Sequence, residues 1–204
     1  MKNLYDEDYY ERGIETGSSC YSNYRWMPEL TIPLAARMIE YLKIPEESTI
    51  LDFGCAKGYL VKAFRLLHRN AFGFDLSEYA LSCVEDEIKK YVSNQFEGEY
   101  DWIISKDVFE HISYQDIDQW LKRINESCNS LFAIIPLGDG QKYIVPAYEL
   151  DKTHEIREDL NWWRRKFEKA GFQVDAACYR VKYIKENWSG WDNGNGFCVL
   201  RSGR

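Results

Sequence analysis

A carboxylate, a bend and a second carboxylate are the first residues in this chain whose types and spacing suggest chemistry. Asp52 sits at the end of the short apolar run Thr49–Phe53 and is followed by Gly54, Cys55, Ala56, Lys57 and Gly58. Glycine at 54 permits a tight turn and lets backbone approach a ligand with no Cβ in the way. Gly58 does the same where a helix opens and its first N–H groups lack partners. The pattern is Asp-x-Gly-x-x-x-Gly, not the Gly-x-Gly-x-x-Gly of a dinucleotide loop, in which uncharged backbone donors receive a pyrophosphate. A strand-end carboxylate instead suits an ammonium donor, directly or through water. Asp75 follows 23 positions after Asp52, by subtraction, at the end of a second apolar burst, Ala71–Phe74. At that distance from a glycine loop a carboxylate can accept two hydrogen bonds from a ribose diol. Read alone, the loop also fits a plain structural turn, and Asp75 a turn aspartate before Ser77.

Proton-handling groups come later in the chain. His111 and His154 are candidates for a base, because imidazole titrates near neutral pH. Glu110 is a third candidate, better read as structural, and Asp151 is a candidate orienting carboxylate. His111 also fits a packed residue at a helix entry. Tyr9, Tyr10, Tyr21 and Tyr24 could form an aromatic lid over a cationic ligand, or simply pack in an N-terminal helix. Trp188 and Trp191 could rim a pocket or cover a sheet edge. Trp120, Trp163 and Phe167 fall on helical stripes and are expected in the core. The cysteines Cys20, Cys55, Cys83, Cys128, Cys178 and Cys198 are spread evenly with no CxxC, which reads as reduced thiols in a cytoplasmic protein. The three histidines show no ligand spacing with them, and no carboxylate cluster has magnesium spacing, so no metal site is expected.

The elements that must position these groups are legible from periodicity. Pro33 suits a first helical turn, and apolar spacing continues the helix towards Pro45. A buried strand at 49–53, a helix over 59–68, a strand at 71–74 and a helix from Ser77 to about Tyr91 follow. A weak strand near 91–93 and a clearer one at 102–105 come next. Ser113 and Asp116 open another helix. Strand 131–136, a long polar loop over about 138–159, a helix from Leu160 closed by Gly171, and strands at 173–179 and 197–201 complete the order. Short buried strands alternating with amphipathic helices predict a parallel sheet covered on both faces, with ligands at the carboxyl ends of its strands.

Composition bounds the rest. The 204 residues carry 26 Lys+Arg against 33 Asp+Glu, a net charge of −7, and 45% are hydrophobic. One sizeable core is affordable, disorder is excluded, and an acidic surface argues against a broad nucleic-acid footprint. The longest apolar run, Leu131–Leu137, is far below the roughly 20 residues of a membrane helix. The polar, acidic stretch 1–13 does not resemble a secretion signal.

Three segments together, Ile50–Gly58, Gly73–Ser77 and Tyr100–Ile112, resemble the successive motifs of class I S-adenosylmethionine-dependent methyltransferases, most closely the small-molecule branch with quinone- and sugar-modifying members. The likeness spans roughly residues 46–201 and extends to strand 131–136, Asp151–His154 and Lys169–Phe172. It implies an α/β Rossmann-like, doubly wound sheet of seven strands with the last antiparallel. A tyrosine-rich cap and first helix would occupy 1–45, and the cofactor-binding domain 46–204. The resemblance implies S-adenosylmethionine contacts from Asp52, Gly54, Cys55, Ala56, Gly58, Asp75, Leu76, Lys106 and Asp107. Leu76 and the chain near Ser93–Asn94 would flank the adenine, and His111 and His154 would be catalytic. The expected reaction is methyl transfer to oxygen or nitrogen of a small molecule, with a quinone-type or modified-RNA acceptor, or a non-catalytic cofactor-binding role, as alternatives. Lys106–Phe109 lacks the Asn/Asp-Pro-Pro-aromatic element of nucleobase-amine methylation, so a nucleic-acid partner is not expected. Neither is a membrane partner.

Overall fold

The computed structural model describes residues 4–186 and 190–204. In chain order the elements are α1 (Glu7–Glu11), α2 (Gly13–Thr16), α3 (Pro28–Leu42), β1 (Thr49–Phe53), α4 (Tyr59–Leu66), β2 (Asn70–Phe74), α5 (Glu78–Ser82), α6 (Asp86–Lys89) and β3 (Val92–Ser93). After them come β4 (Tyr100–Lys106), α7 (Ile117–Ser127), β5 (Cys128–Pro136), α8 (Leu160–Lys169), β6 (Phe172–Cys178) and β7 (Asn195–Ser202), with short 3-10 turns at Phe109–His111 and Pro146–Leu150. The strands make one seven-stranded sheet in the order β3-β2-β1-β4-β5-β7-β6. β7 runs antiparallel to β5 and β6, as the family resemblance implied and against the all-parallel sheet that the alternation of elements alone predicted.

Two compact units are distinguished, residues up to 97 with 150–153, and residues 98–149 with 154–204. In the first, β1 pairs parallel with β2 so that Asp52 lies opposite Gly73, and β2 pairs parallel with β3. Ile50, Leu51, Phe53, Ala71 and Phe74 are buried strand residues, and Val61 and Phe64 of α4 and Ala35 and Met38 of α3 join this core. In the second, β4 and β5 are parallel, from Tyr100 opposite Cys128 to Lys106 opposite Ile134. β5 is buried without interruption from Leu131 to its end at Pro136, the signature of a strand covered on both faces. Trp163 and Phe167 of α8 are fully buried, and Phe109 stacks on Trp163 with centroids 6.1 Å apart.

Several local expectations need correction. Pro33 does not start a helix; Pro28 does, and Pro33 lies inside α3 on an exposed position. The helix expected from Ser77 to Tyr91 is two short helices. Ser77 caps α5, accepting the Ala80 N–H at 2.9 Å. The hydroxyl of Ser82 then donates to the Tyr79 carbonyl, and Glu85 turns extended to begin α6. Trp120 is half-buried rather than core, because Ile117, Leu121, Ile124 and Asn125 are the buried residues of α7. Gly171, at φ 97°, lies one residue past the α8 cap, which is Ala170. Trp188 falls outside the described residues.

Candidate functional site

In the first unit the sequence builds a sharp loop between β1 and α4. Gly54 (φ 84°), Ala56 (φ 48°) and Gly58 (φ 73°) all occupy left-handed backbone, which costs an alanine but not a glycine. The N–H groups of Gly54 and Cys55 both donate to the Phe74 carbonyl, at 2.8 and 3.0 Å. Asp75, just past β2, holds the loop from the other side. Its Oδ2 accepts the Ala56 N–H and its Oδ1 the Ser77 N–H, each at 2.7 Å. A carboxylate has about four lone-pair sites, more than its N–H partners fill. Burial pushes the Asp75 carboxyl above its ordinary value, against the opposing pull of the Ser77, Ala56 and Leu76 N–H groups. Gly73 is where the loop and strand meet most closely. A Cβ there would lie 2.7 Å from Cys55 Sγ, 2.9 Å from Cys55 Cβ and 2.9 Å from Val61 Cγ2. Asp52 is buried, as is Cys55, whose thiol burial and the Asp52 and Asp75 charges push well above the ordinary range.

The N-terminal tyrosines pack against this unit. Tyr9, Tyr10 and Ala80 form a buried cluster joined by Tyr5, Tyr21, Tyr24, Ala56 and Tyr79. Ser77 uses its hydroxyl twice, capping α5 and donating to the Tyr5 carbonyl at 2.6 Å. Lys57, in the loop itself, donates to the Glu11 carboxylate and, at 2.8 Å, to the Tyr24 carbonyl. Its ammonium also lies about 6 Å from the Tyr24 and Tyr79 rings. Asp151 accepts from the Tyr9 hydroxyl at 2.9 Å and from Thr153.

In the second unit, β4 ends at Lys106 and the chain turns sharply at Asp107 (φ 58°), whose N–H reaches the Ile134 carbonyl at 2.9 Å. Lys106 and Lys185 both pair with Asp107. Burial alone would raise this carboxyl; the two ammonium groups outweigh it and hold it well below the usual range. Burial lowers the pKa of Lys185. The next turn presents Glu110 and His111, and the 138–159 segment brings His154 to them. The two imidazole centroids are 4.6 Å apart. Glu110 Oε1 is 3.9 Å from Nε2 of each histidine. Its side chain is fully buried, and neither oxygen has a hydrogen-bond partner among the described residues. Burial, with Asp107 nearby, raises its pKa well above the ordinary value.

A family model described as a methyltransferase domain matches residues 25–177. The chain belongs to this methyltransferase family. No curated protein sequence matches it, but solved structures share its fold. A S-adenosylmethionine-dependent methyltransferase from Clostridium acetobutylicum aligns with TM-score 0.63 at 13% identity, over 84% of this chain and 92% of that one. The Haloferax volcanii complex of the Trm112 methyltransferase activator with a methyltransferase aligns with TM-score 0.65 at 16% identity, over 87% and 92%. The mitomycin 7-O-methyltransferase aligns with TM-score 0.61 at 12% identity, over 94% and 65%. The methyltransferase uses S-adenosylmethionine as its methyl donor. Its first unit fits that group chemically: a strand-end carboxylate, a loop open to close backbone approach, and a second carboxylate with acceptor directions to spare.

Of the residues singled out from sequence, the structure brings Asp52, Gly54, Cys55, Ala56, Gly58, Asp75 and Leu76 into the first unit. Leu76 is exposed there. Lys106, Asp107, His111 and His154 belong to the second. Asp151 binds Tyr9, and the carboxylate facing both histidines is Glu110, expected to be merely structural. Lys57, Lys185 and Gly73 were missed. A lysine inside a glycine loop and one in a C-terminal loop carry no pattern that announces a buried ion pair. Among the described residues no helix is long and apolar enough to cross a membrane.

Proposed function

We infer that this methyltransferase methylates an oxygen or nitrogen of a small molecule, with the first unit gripping the donor and the second activating the acceptor. When bound, S-adenosylmethionine supplies a methyl carbon on sulfonium sulfur, which an acceptor lone pair attacks as the carbon–sulfur bond breaks and its electrons return to sulfur. Asp52 accepts from the donor's ammonium, Gly54–Gly58 line its amino-acid end, and Asp75 takes the ribose hydroxyls on its remaining lone pairs. Leu76 flanks the adenine with an apolar face. Residues 1–45 act as a cap that excludes water, with the tyrosine cluster fastened to the glycine loop through Lys57 and Glu11.

The observation that carries the acceptor assignment is the pair of imidazoles 4.6 Å apart beside a fully buried carboxylate. His111 and His154 orient the acceptor and draw the proton from its hydroxyl or ammonium, which holding the nucleophile in line makes worthwhile. The acidic total charge and the aromatic interior favour a small metabolite over a nucleic acid. The free cysteines, with Cys55, Cys128 and Cys198 buried, fit a reducing cytoplasm.

S-adenosylhomocysteine should raise the melting temperature while NAD leaves it unchanged. Asp75→Ala should weaken that binding by about 1–3 kcal/mol, the scale of a lost charge-assisted hydrogen bond. Product detection by mass spectrometry across nucleotide sugars, phenols and amines then identifies the acceptor. Unaltered S-adenosylhomocysteine affinity in Asp75→Ala would remove Asp75 from the site.

A further inference from the structure

Glu110 poses a physical problem that the reading above does not solve. A carboxyl group with no exposure and no hydrogen bond to either oxygen is costly in either protonation state, and as a carboxylate it needs something positive beside it. The nearby ammonium of Lys185 is already paired with Asp107. An ordinary Glu–His ion pair does not answer it either, since 3.9 Å from Oε1 to each Nε2 is too long for a hydrogen bond.

The distances instead suit groups arranged around a shared centre. One donor atom from each of Glu110, His111 and His154 lies within 4.8 Å of the others. Ligands about 2.0–2.2 Å from a common ion sit roughly 3–3.5 Å from one another, so rotations of about 0.5–1.5 Å would close the set. The histidine geometry favours this. His154 Nδ1 lies 2.8 Å from the Tyr148 carbonyl, which can only accept, so Nδ1 carries the hydrogen. In the neutral ring that leaves the lone pair on Nε2, the nitrogen nearest Glu110; a carbonyl fixing the tautomer in this way is the usual support for a metal-binding histidine. The backbone is held as well. The Glu110 carbonyl accepts the N–H groups of Glu155 and Ile156, at 2.7 and 3.0 Å, which fastens the His154 segment to the turn bearing the carboxylate.

We propose that Glu110, His111 and His154 bind one divalent first-row transition-metal ion, whose open positions take a hydroxyl oxygen of the acceptor. Two imidazoles and one carboxylate suit ions such as Co2+, Mn2+, Fe2+ or Zn2+ rather than Mg2+ or Ca2+, which prefer all-oxygen shells. Three protein ligands leave room for a substrate oxygen. The ion makes that oxygen acidic, its proton passing to solvent water, and the histidines then serve as ligands in place of the proton-accepting role given to them above. The acceptor half of this inference rests on the methyltransferase reading; the ion site does not. Spacing had concealed it, because His154 is 43 residues beyond His111, by subtraction.

The test uses the full chain stripped with chelator and titrated with Co2+, followed by visible absorption, and with Mn2+, followed by loss of its free resonance signal. One ion per chain is expected, with affinity falling more than about tenfold in Glu110→Gln and in His154→Gln but not in His68→Gln, which alters an exposed histidine. Circular dichroism and the melting temperature of each variant establish that it is folded. Absence of stoichiometric binding, a thiolate-type Co2+ spectrum, or binding that survives Glu110→Gln would overturn the site. Calorimetry with S-adenosylhomocysteine on the same samples keeps the two readings apart. Cofactor binding without ion binding defeats the metal site alone, and ion binding without cofactor binding defeats the donor reading alone.

Discussion

Gly73→Ala is the most direct probe of how the donor loop is held. The backbone of Gly73 pairs normally in β2, so alanine faces no conformational penalty there, and the unfolded chain loses entropy worth about 0.4–1 kcal/mol in the folded state's favour. Packing acts the other way. The new methyl would stand 2.7 and 2.9 Å from Cys55 Sγ and Cβ and 2.9 Å from Val61 Cγ2, and none of these atoms ends a long flexible side chain. Forcing one carbon into such a space costs about 1–3 kcal/mol. The net expectation is a loss of up to about 2.6 kcal/mol, read as a lower urea midpoint with unchanged slope. Cys55 must move to relieve the contact, and it lies in the loop whose N–H groups bond the Phe74 carbonyl. S-adenosylhomocysteine affinity should therefore fall roughly tenfold, or about 1.4 kcal/mol. Cys55→Gly removes two of the three clashes, so in the double variant the two effects should couple by at least about 0.5 kcal/mol. Wild-type stability and affinity in Gly73→Ala, or strict additivity in the double variant, would refute the reasoning.

Two further outcomes follow from the same unit. Removing either partner of the Lys57–Glu11 pair, by Lys57→Met or Glu11→Gln, should cost about 1–3 kcal/mol in urea unfolding, less than a fully buried pair because Glu11 keeps 24% of its side-chain surface exposed; the double variant should lose less than the sum, and additive losses would dissolve the pair. Asp75 should impose a pH dependence: burial raises its folded pKa above the ordinary 3.8, so the folded chain binds that proton more tightly and the group's contribution to stability falls as pH rises from about 3.8 through the raised value. Asp75→Asn should abolish that component, measured as the difference between the two unfolding free energies from pH 4 to 7, while donor affinity in the wild type strengthens over the same window as the carboxylate ionises.

Much of this protein was determined by local pattern. The strand at Thr49–Phe53, the turn at Gly54–Gly58 and the Ser77 cap are each written in a few adjacent residues, because period, missing Cβ atoms and a capping hydroxyl act over one or two turns of chain. The order of strands and helices was legible for the same reason. Where local signals compete, tertiary context decided. Spacing alone ran one helix from Ser77 to Tyr91, and the Ser82 hydroxyl and an extended Glu85 divided it. Trp120 lay on a helical stripe yet faces partly outward.

The sequence by itself settled which residues could bend the backbone and offer lone pairs. Only the folded chain decided which of those lone pairs meet. Asp151 was the carboxylate expected to serve a histidine, but its partners are Tyr9 and Thr153, and Glu110 took its place once the 138–159 segment turned back on the end of β4. Lys57 and Lys185 became buried charges only because Glu11 and Asp107, far off in the chain, were packed against them. Electrostatic cost depends on burial and on partners remote in sequence, and neither is a property of a short window of residues.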